Sequence, residues 1–472
     1  MKKDLIQKAA DLFGGAVQLN AGGVHVKDSA RLRSAATDQL VWQAVFGSAD
    51  EKAAARWLLW ELGQATGARP ASIAGIYFAR ARGECGGFTV PAINVRMLAY
   101  DTARAVIRAA LAGRAGAILF EIARSEIAYT DQRPAEYVSV IIAAALREGY
   151  SLPLFIQGDH CQVNAKKYQA DSKGELGEVK KLIGEEVASG FYNIDVDTST
   201  LVDLSQPTLE AQQRLNYEHA AEITAFIRKQ EPEGVSVSVG AEIGEVGQKN
   251  STVEELHAFM SGYNKALKKL GDYEGISKIS VLTGTSHGGV VLPDGSIADV
   301  KLDLEALAAL SKVAREEYGL AGAVQHGAST LPSNAFGNFP RVETAEIHLA
   351  TNFQNIVFDH PKLPADLAGR VKDWLIQNAA GERKPGDSEE QFIYKTRKKA
   401  IGPFKQEMWS LPEPVRQAIA ADLEKTFAFL FEQLNVNGTA SVVDRFIRAP
   451  VQPHASLKPA MAIAADDADA GE

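Results

Sequence analysis

The feature that most constrains this chain is a rhythm that begins near Phe88. Short apolar runs alternate there with longer helical patterns: Val90–Val95, Ala117–Ile122, Leu152–Gln157, Tyr192–Val196, Val235–Ala241, Lys278–Leu282, Gly322–Gln325 and Ala345–Leu349. Runs of this kind read as strands of a parallel sheet buried on both faces. Helical patterns lie between most of them, at Leu98–Ala112, Ala135–Glu148, Glu175–Ser189, Leu209–Lys229, Val253–Leu270 and Leu304–Tyr318, with Asn352–Asn378 after the last. Eight strand–helix units over roughly 290 residues is the arithmetic of a TIM (β/α)8 barrel; doubly wound sheets more often stop at five or six strands. The sequence therefore predicts an α/β chain with one such barrel over 87–380. It predicts a helical N-terminal extension over 1–86, a helical C-terminal extension over 381–448 entered through a polar Pro-Gly linker, and a disordered tail over 449–472 rich in Ala, Pro and Asp.

Composition removes several classes. With 46% hydrophobic and 23% charged residues, the 472-residue chain is neither disordered, collagen-like nor disulfide-stapled. Lys and Arg total 50 against 59 Asp and Glu, a formal net charge of −9, so no nucleic-acid partner is expected. No apolar run approaches the roughly 20 residues of a membrane span, and no membrane partner is expected. Cys85 and Cys161 form no pattern, and Met1-Lys2-Lys3-Asp4 opens no signal-peptide core, which together point to a cytoplasmic enzyme.

The histidines sharpen this. Of nine, His160 follows the third run, His287 the sixth and His326 the seventh. Residues just past the strand ends of a parallel barrel converge on one mouth, where barrel active sites are built. Three imidazoles meeting there suit a Zn²⁺ site with an open position, and Co²⁺ or Mn²⁺ fit the same ligands. Asp159 and Glu242 add carboxylates beside them, and His348 at the eighth run can reach the mouth as well. Gly288, Gly327 and Ser329, beyond the sixth and seventh runs, are candidates for an anion cradle of backbone N–H groups and a hydroxyl.

Six short motifs in order carry a resemblance: Val90-Pro91-Ala92-Ile93-Asn94-Val95, Gly158-Asp159-His160-Cys161, Gly240-Ala241-Glu242-Ile243-Gly244, Gly284-Thr285-Ser286-His287-Gly288, His326-Gly327-Ala328-Ser329 and Leu349-Ala350-Thr351. Together they resemble class II, metal-dependent ketose-bisphosphate aldolases over about Gly87 to His360. Ala128-Tyr129-Thr130, Pro134-Ala135-Glu136 and the basic-aromatic segment around Tyr394 are similar to the tagatose-bisphosphate aldolase accessory subunits, which are regarded as non-catalytic.

The resemblance implies roles for particular residues. His160, His287 and His326 match metal histidines, and Glu242 a carboxylate that can approach the metal. Asp159 matches the acid that exchanges a proton with the substrate C4 hydroxyl. Gly288, Gly327, Ser329 and Thr351 match phosphate-holding positions, Asn94 an active-site asparagine, and Asp197 a carboxylate near an alternative metal position. A monovalent cation near the phosphate and a homo-oligomeric state are further implications. The sequence also departs from the family. The loop after the fifth run lacks the expected glutamate, leaving Glu245 as the nearest candidate for proton transfer at carbon. His348 stands where the family has asparagine before the phosphate threonine, and Arg124 near where a serine is expected; both are candidate substrate- or phosphate-binding residues, and a remade anion site there would favour a non-bisphosphate substrate. Arg124 can bind an anion through its planar fork or pair with a carboxylate such as Glu126.

The expected function is thus a zinc-dependent class II aldolase of carbohydrate metabolism, in or beside glycolysis. It would reversibly cleave fructose 1,6-bisphosphate or tagatose 1,6-bisphosphate to dihydroxyacetone phosphate and an aldehyde such as glyceraldehyde 3-phosphate. Two alternatives stand beside it: a non-catalytic barrel subunit that stabilises a partner aldolase, and a metal-dependent aldolase acting on a non-bisphosphate substrate.

Overall fold

The computed structural model describes residues 3–20, 23–244, 249–284 and 302–453. Eight parallel strands close into a barrel, each lying within a few residues of an apolar run. They are β1 (Val90–Asn94), β2 (Leu119–Ala123), β3 (Leu154–Gln162), β4 (Asn193–Asp197), β5 (Ser238–Glu242), β6 (Lys278–Val281), β7 (Ala323–Gln325) and β8 (Glu346–Leu349). Every neighbouring pair is hydrogen-bonded in order, β8 pairs with β1, and the ring is complete. The expected TIM (β/α)8 barrel is the observed fold.

The strands are sorted by face with period two. On β2, Phe120 and Ile122 alternate with Glu121; on β4, Ile194 and Val196 alternate with Asp195 and Asp197. On β6, Ile279 and Val281 alternate with Lys278 and Ser280, and on β8, Ile347 and Leu349 alternate with Glu346 and His348. The polar set points into the barrel. Lys278 Nζ reaches Glu346 Oε1 on β8 at 2.6 Å, Gln157 Oε1 on β3 at 2.7 Å and Asp195 Oδ1 on β4 at 2.9 Å. None of those strands adjoins β6, so the contacts must cross the lumen. Gly240 on β5 makes room for them, since a Cβ there would collide with Asp195 Oδ1 and the Lys278 side chain.

The N-terminal extension is mostly helical, as expected, with helices at Lys3–Asp11, Ala35–Phe46, Ala49–Thr66 and Ala74–Ala81. Gly47-Ser48 separates the second from the third, and Ser48 and Glu51 form a capping box. The sequence reading missed an antiparallel ladder between Val17–Asn20 and Gly23–Val26. Those strands are four residues each and only partly buried, too short for a periodic signal. The helix Ala74–Ala81 closes the barrel floor: Tyr77 hydroxyl donates to Glu346 and Arg80 donates to the carbonyls of Phe88 and Thr344.

The C-terminal extension is also helical. Its long helix, Glu413–Gln433, lies along the helix Ala99–Gly113, tied by Arg416–Asp101 at 3.0 Å and Arg108–Glu424 at 2.6 Å. The first residues of the expected disordered tail are held in place. Trp60 Nε1 donates to the carbonyl of Gln452 at 2.6 Å, and Arg69 to that of Ala449 at 3.1 Å. The rest of that tail, 454–472, lies outside the described residues.

Candidate active site

Asp159, His160 and Glu242 reach the mouth on strand ends and His326 directly follows one, and β3 presents its pair in an unusual way. It continues past Gln157 to Gln162, and its register with β4 shifts between Gly158 and Cys161. Within this bulge His160 takes φ 41°, a left-handed conformation that costs a non-glycine residue about 1–2 kcal/mol. In a regular strand, consecutive residues point to opposite faces. The bulge lets Asp159 and His160 both serve the mouth.

His160 Nδ1 lies 3.2 Å from Asp197 Oδ2 at the end of β4 and 3.6 Å from Glu242 Oε2 at the end of β5. The His326 ring, just past β7, sits 4.3 Å from the His160 ring, centroid to centroid, and its Nε2 meets Ser280 Oγ at 3.0 Å. His160, Glu242 and His326 each offer a ligand atom, and the three lie within 4.8 Å of one another. Two imidazoles and a carboxylate form a donor set suited to a borderline divalent cation such as zinc. Asp197 accepts from Gln162 Nε2 at 2.6 Å and from Ser199 Oγ at 2.6 Å, so it is fixed where it can orient the His160 ring.

Electrostatics fit a cation at this corner. Burial and the neighbouring Asp197 push Glu242 up to about 8, although His160 draws it down. Burial works against charge on His160, but Asp159, the Asp197 hydrogen bond and Glu242 outweigh it and hold its pKa well above the usual imidazole value. Burial likewise opposes charge on Asp197, yet His160, Ser199 and Gln162 bring it below the ordinary carboxylate value. Three carboxylates crowd one imidazole, and a divalent cation would relieve that repulsion.

Three of the anion candidates, Gly327, Ser329 and Thr351, follow the ends of β7 and β8. Gly327 adopts φ 67° directly after His326 and opens the turn Ala328–Thr330. Ser329 lines a cavity of about 500 Å³ with Asn352, Phe353 and Phe429. Thr351 opens the helix Thr351–Phe358, whose cap residue Ala350 contributes no side-chain bond, so first-turn N–H groups remain suited to an anion.

Three candidates are committed elsewhere. Asn94 donates to Glu126 Oε2 at 2.5 Å and accepts from Arg96 Nε at 3.1 Å. Arg124 pairs with Glu175 at 2.6 Å and donates to the Gln162 carbonyl at 2.6 Å, rather than to Glu126, which pairs with Arg96 instead. His348 has carboxylates facing both ring nitrogens. Its Nδ1 faces Glu121 at 2.9 Å and Asp159 at 3.1 Å, and its Nε2 faces Glu346 at 2.7 Å. Glu245, His287 and Gly288 lie outside the described residues.

Sequence reading missed Glu121, Gln157, Asp195, Lys278 and Glu346, which fill the lumen beneath the mouth. Their signal is a polar residue at every second position of otherwise apolar strands. Burial alone would discharge Lys278, but Asp195 and Glu346 raise its pKa above the ordinary lysine value.

The closed barrel and this mouth define a TIM-barrel protein with a candidate metal centre. The family model for class-II fructose-bisphosphate aldolases matches residues 78–421. The chain belongs to that family and is an aldolase-type enzyme. No curated protein sequence matches it. Among solved structures it is similar to the fructuronate-tagaturonate epimerase UxaE of Cohnella laeviribosi, at 13% identity and TM-score 0.56 over 90% of each chain. A probable tagatose 6 phosphate kinase of Sinorhizobium meliloti is 16% identical, with TM-score 0.50 over 76% of this chain and 93% of that one. The fructose-bisphosphate aldolase of Campylobacter jejuni is 16% identical, with TM-score 0.46 over 78% and 97%. At these identities the first two show a shared fold.

Proposed function

We propose that this protein is a divalent-metal-dependent lyase that reversibly cleaves a phosphorylated ketose to dihydroxyacetone phosphate and an aldehyde. Fructose 1,6-bisphosphate and tagatose 1,6-bisphosphate are the first substrates to try, and glyceraldehyde 3-phosphate is the aldehyde they give. The observation that carries this reading is the meeting of His160, His326 and Glu242 with Asp159 at one barrel mouth.

His160, His326 and Glu242, joined by His287, would hold the metal, with Zn²⁺ favoured and Co²⁺ or Mn²⁺ suited to the same donors. When bound, the metal supplies Lewis-acid charge that offsets negative charge developing on the substrate oxygens. Asp159 takes the proton from the C4 hydroxyl in cleavage and returns it in condensation. Asp197 orients the His160 ring. Gly288, Gly327, Ser329 and Thr351 hold the phosphate through N–H groups and hydroxyls, and a monovalent cation beside them would assist. Glu245 is the side chain proposed to exchange the proton at carbon. The protein is proposed to act in cytoplasmic carbohydrate metabolism, including glycolysis, as a homo-oligomer.

The test is a substrate panel on the isolated, zinc-loaded chain, with and without EDTA. It should include both ketose bisphosphates and the two uronates named for the Cohnella epimerase. His160→Ala should lose the metal and at least about 100-fold of the cleavage rate. Undiminished cleavage by metal-free His160→Ala sinks the reading. An isolated chain that binds metal, cleaves nothing and activates an added aldolase would instead identify a supporting subunit.

A further inference from the structure

We propose that His348, backed by Glu346 and Lys278, is a positioning residue that fixes the Asp159 carboxylate at the barrel mouth. The inference rests on the role given to Asp159 above and adds three residues to which the aldolase reading assigns no task.

His348 and Glu346 are two residues apart on β8 and share its lumen face. The imidazole stands between two sets of carboxylates, with Nδ1 at 3.1 Å from Asp159 Oδ1 and 2.9 Å from Glu121 Oε2, and Nε2 at 2.7 Å from Glu346 Oε1. Its ring also lies 4.0 Å from the His326 ring, centroid to centroid, which limits movement on that side. Glu346 is itself pinned. Tyr77 donates to its Oε2, while Lys278 Nζ at 2.6 Å and Gln157 Nε2 at 2.8 Å reach its Oε1. Lys278 and Glu346 are completely buried and His348 is only 5% exposed, so water cannot replace these partners cheaply. A continuous line of contacts therefore runs from Tyr77 in the floor through Glu346 and His348 to Asp159.

The purpose follows from the position of Asp159. Its backbone is in register with Ala123 on β2 but lies where the register of β3 with β4 shifts, so regular strand pairing supports it on one side. A proton-transfer group must be held within a few tenths of an ångström of its working place. The His348 side chain, at ion-pair distance, supplies that constraint from across the lumen. Lys278 keeps two buried carboxylates, Asp195 and Glu346, from repelling each other and collapsing the line.

The test is a double-mutant cycle between Asp159→Asn and His348→Asn, with Glu346→Gln as a second, size-preserving probe. His348→Asn and Glu346→Gln should each lower kcat for cleavage by about 10- to 100-fold while KM and metal content hold. In the Asp159→Asn background, adding His348→Asn should change the residual rate no more than about two-fold, because its effect runs through Asp159. A full second loss in that background would show a general structural role and overturn the proposal, as would unchanged kcat in both single variants. If the wild-type chain cleaves nothing on the panel, the aldolase reading fails separately. A crystal structure of Glu346→Gln then decides the relay: His348 should part from Asp159, and an intact 3.1 Å contact refutes it.

Discussion

Two buried regions of this barrel solve opposite problems. Between strands and helices the shell is apolar: Phe120, Ile122, Ile194, Val196, Ile347 and Leu349 are almost fully buried there. Inside the strands, the lumen carries Glu121, Gln157, Asp195, Lys278, Glu346 and His348, also buried. Barrel interiors are more often filled by branched aliphatic side chains. The shell gains stability by removing area from water, at about 25 cal/mol per Å². The lumen gains little that way, because desolvating charge offsets much of the ion-pair attraction. What the lumen provides is fixed geometry beneath the mouth. Stability and the candidate site are therefore held by the two faces of the same strands.

One substitution on each face separates the two roles. Lys278→Met strands Asp195 and Glu346 without their shared ammonium and should cost about 3–5 kcal/mol in a urea melt, together with activity. Phe120→Ala should cost a similar 3–5 kcal/mol through its cavity, yet leave kcat near wild type at temperatures where the protein stays folded. If Phe120→Ala removes activity as completely as stability, the division of labour fails.

A smaller effect probes the shell's polar exception. Glu186 is fully buried against β3, accepts from Cys161 Sγ, and is pushed up to about 8 by burial. A carboxyl whose folded pKa is raised holds its proton in the native state over a range where the unfolded chain has lost it. Its stabilising contribution is therefore complete below about 4.5 and lost as pH rises through about 8. Replacing it by glutamine removes that dependence, so Glu186→Gln should gain relative to wild type in melts run from pH 6 to 9. A constant difference across that range would contradict the assignment. The smallest effect belongs to the surface. Arg108→Ala loses partly exposed ion pairs with Glu424 and Glu148 and should shift stability by no more than about 1 kcal/mol.

The strands were legible because their shell-facing residues make apolar runs, and all eight runs fall on barrel strands. Asp159, His160, Glu242 and His326 were legible because strand ends of a barrel share one mouth. The lumen was not, because a run written as apolar hides the polar residue at each second position until the facing is known. Lys278 opens its strand and reads as a boundary residue from sequence. Arg124 and His348 illustrate the remaining limit. Their partners, Glu175 and Glu121, are distant in sequence, so no local pattern announces that either side chain is already engaged. The bulge that turns Asp159 and His160 the same way is likewise a tertiary property, invisible in Gly158-Asp159-His160-Cys161 read as letters.

Tyr77 gives the N-terminal extension a meaning beyond packing. Its hydroxyl is the lowest link of a line that ends at the mouth, and it comes from a segment preceding the first barrel strand. A barrel excised at Phe88 would expose Glu346 and Lys278 to water from below, raising the local dielectric under the very groups that need a dry floor. The helix Ala74–Ala81 is thus part of the insulation of the site. Anyone transplanting this barrel into another chain must carry its floor along with it.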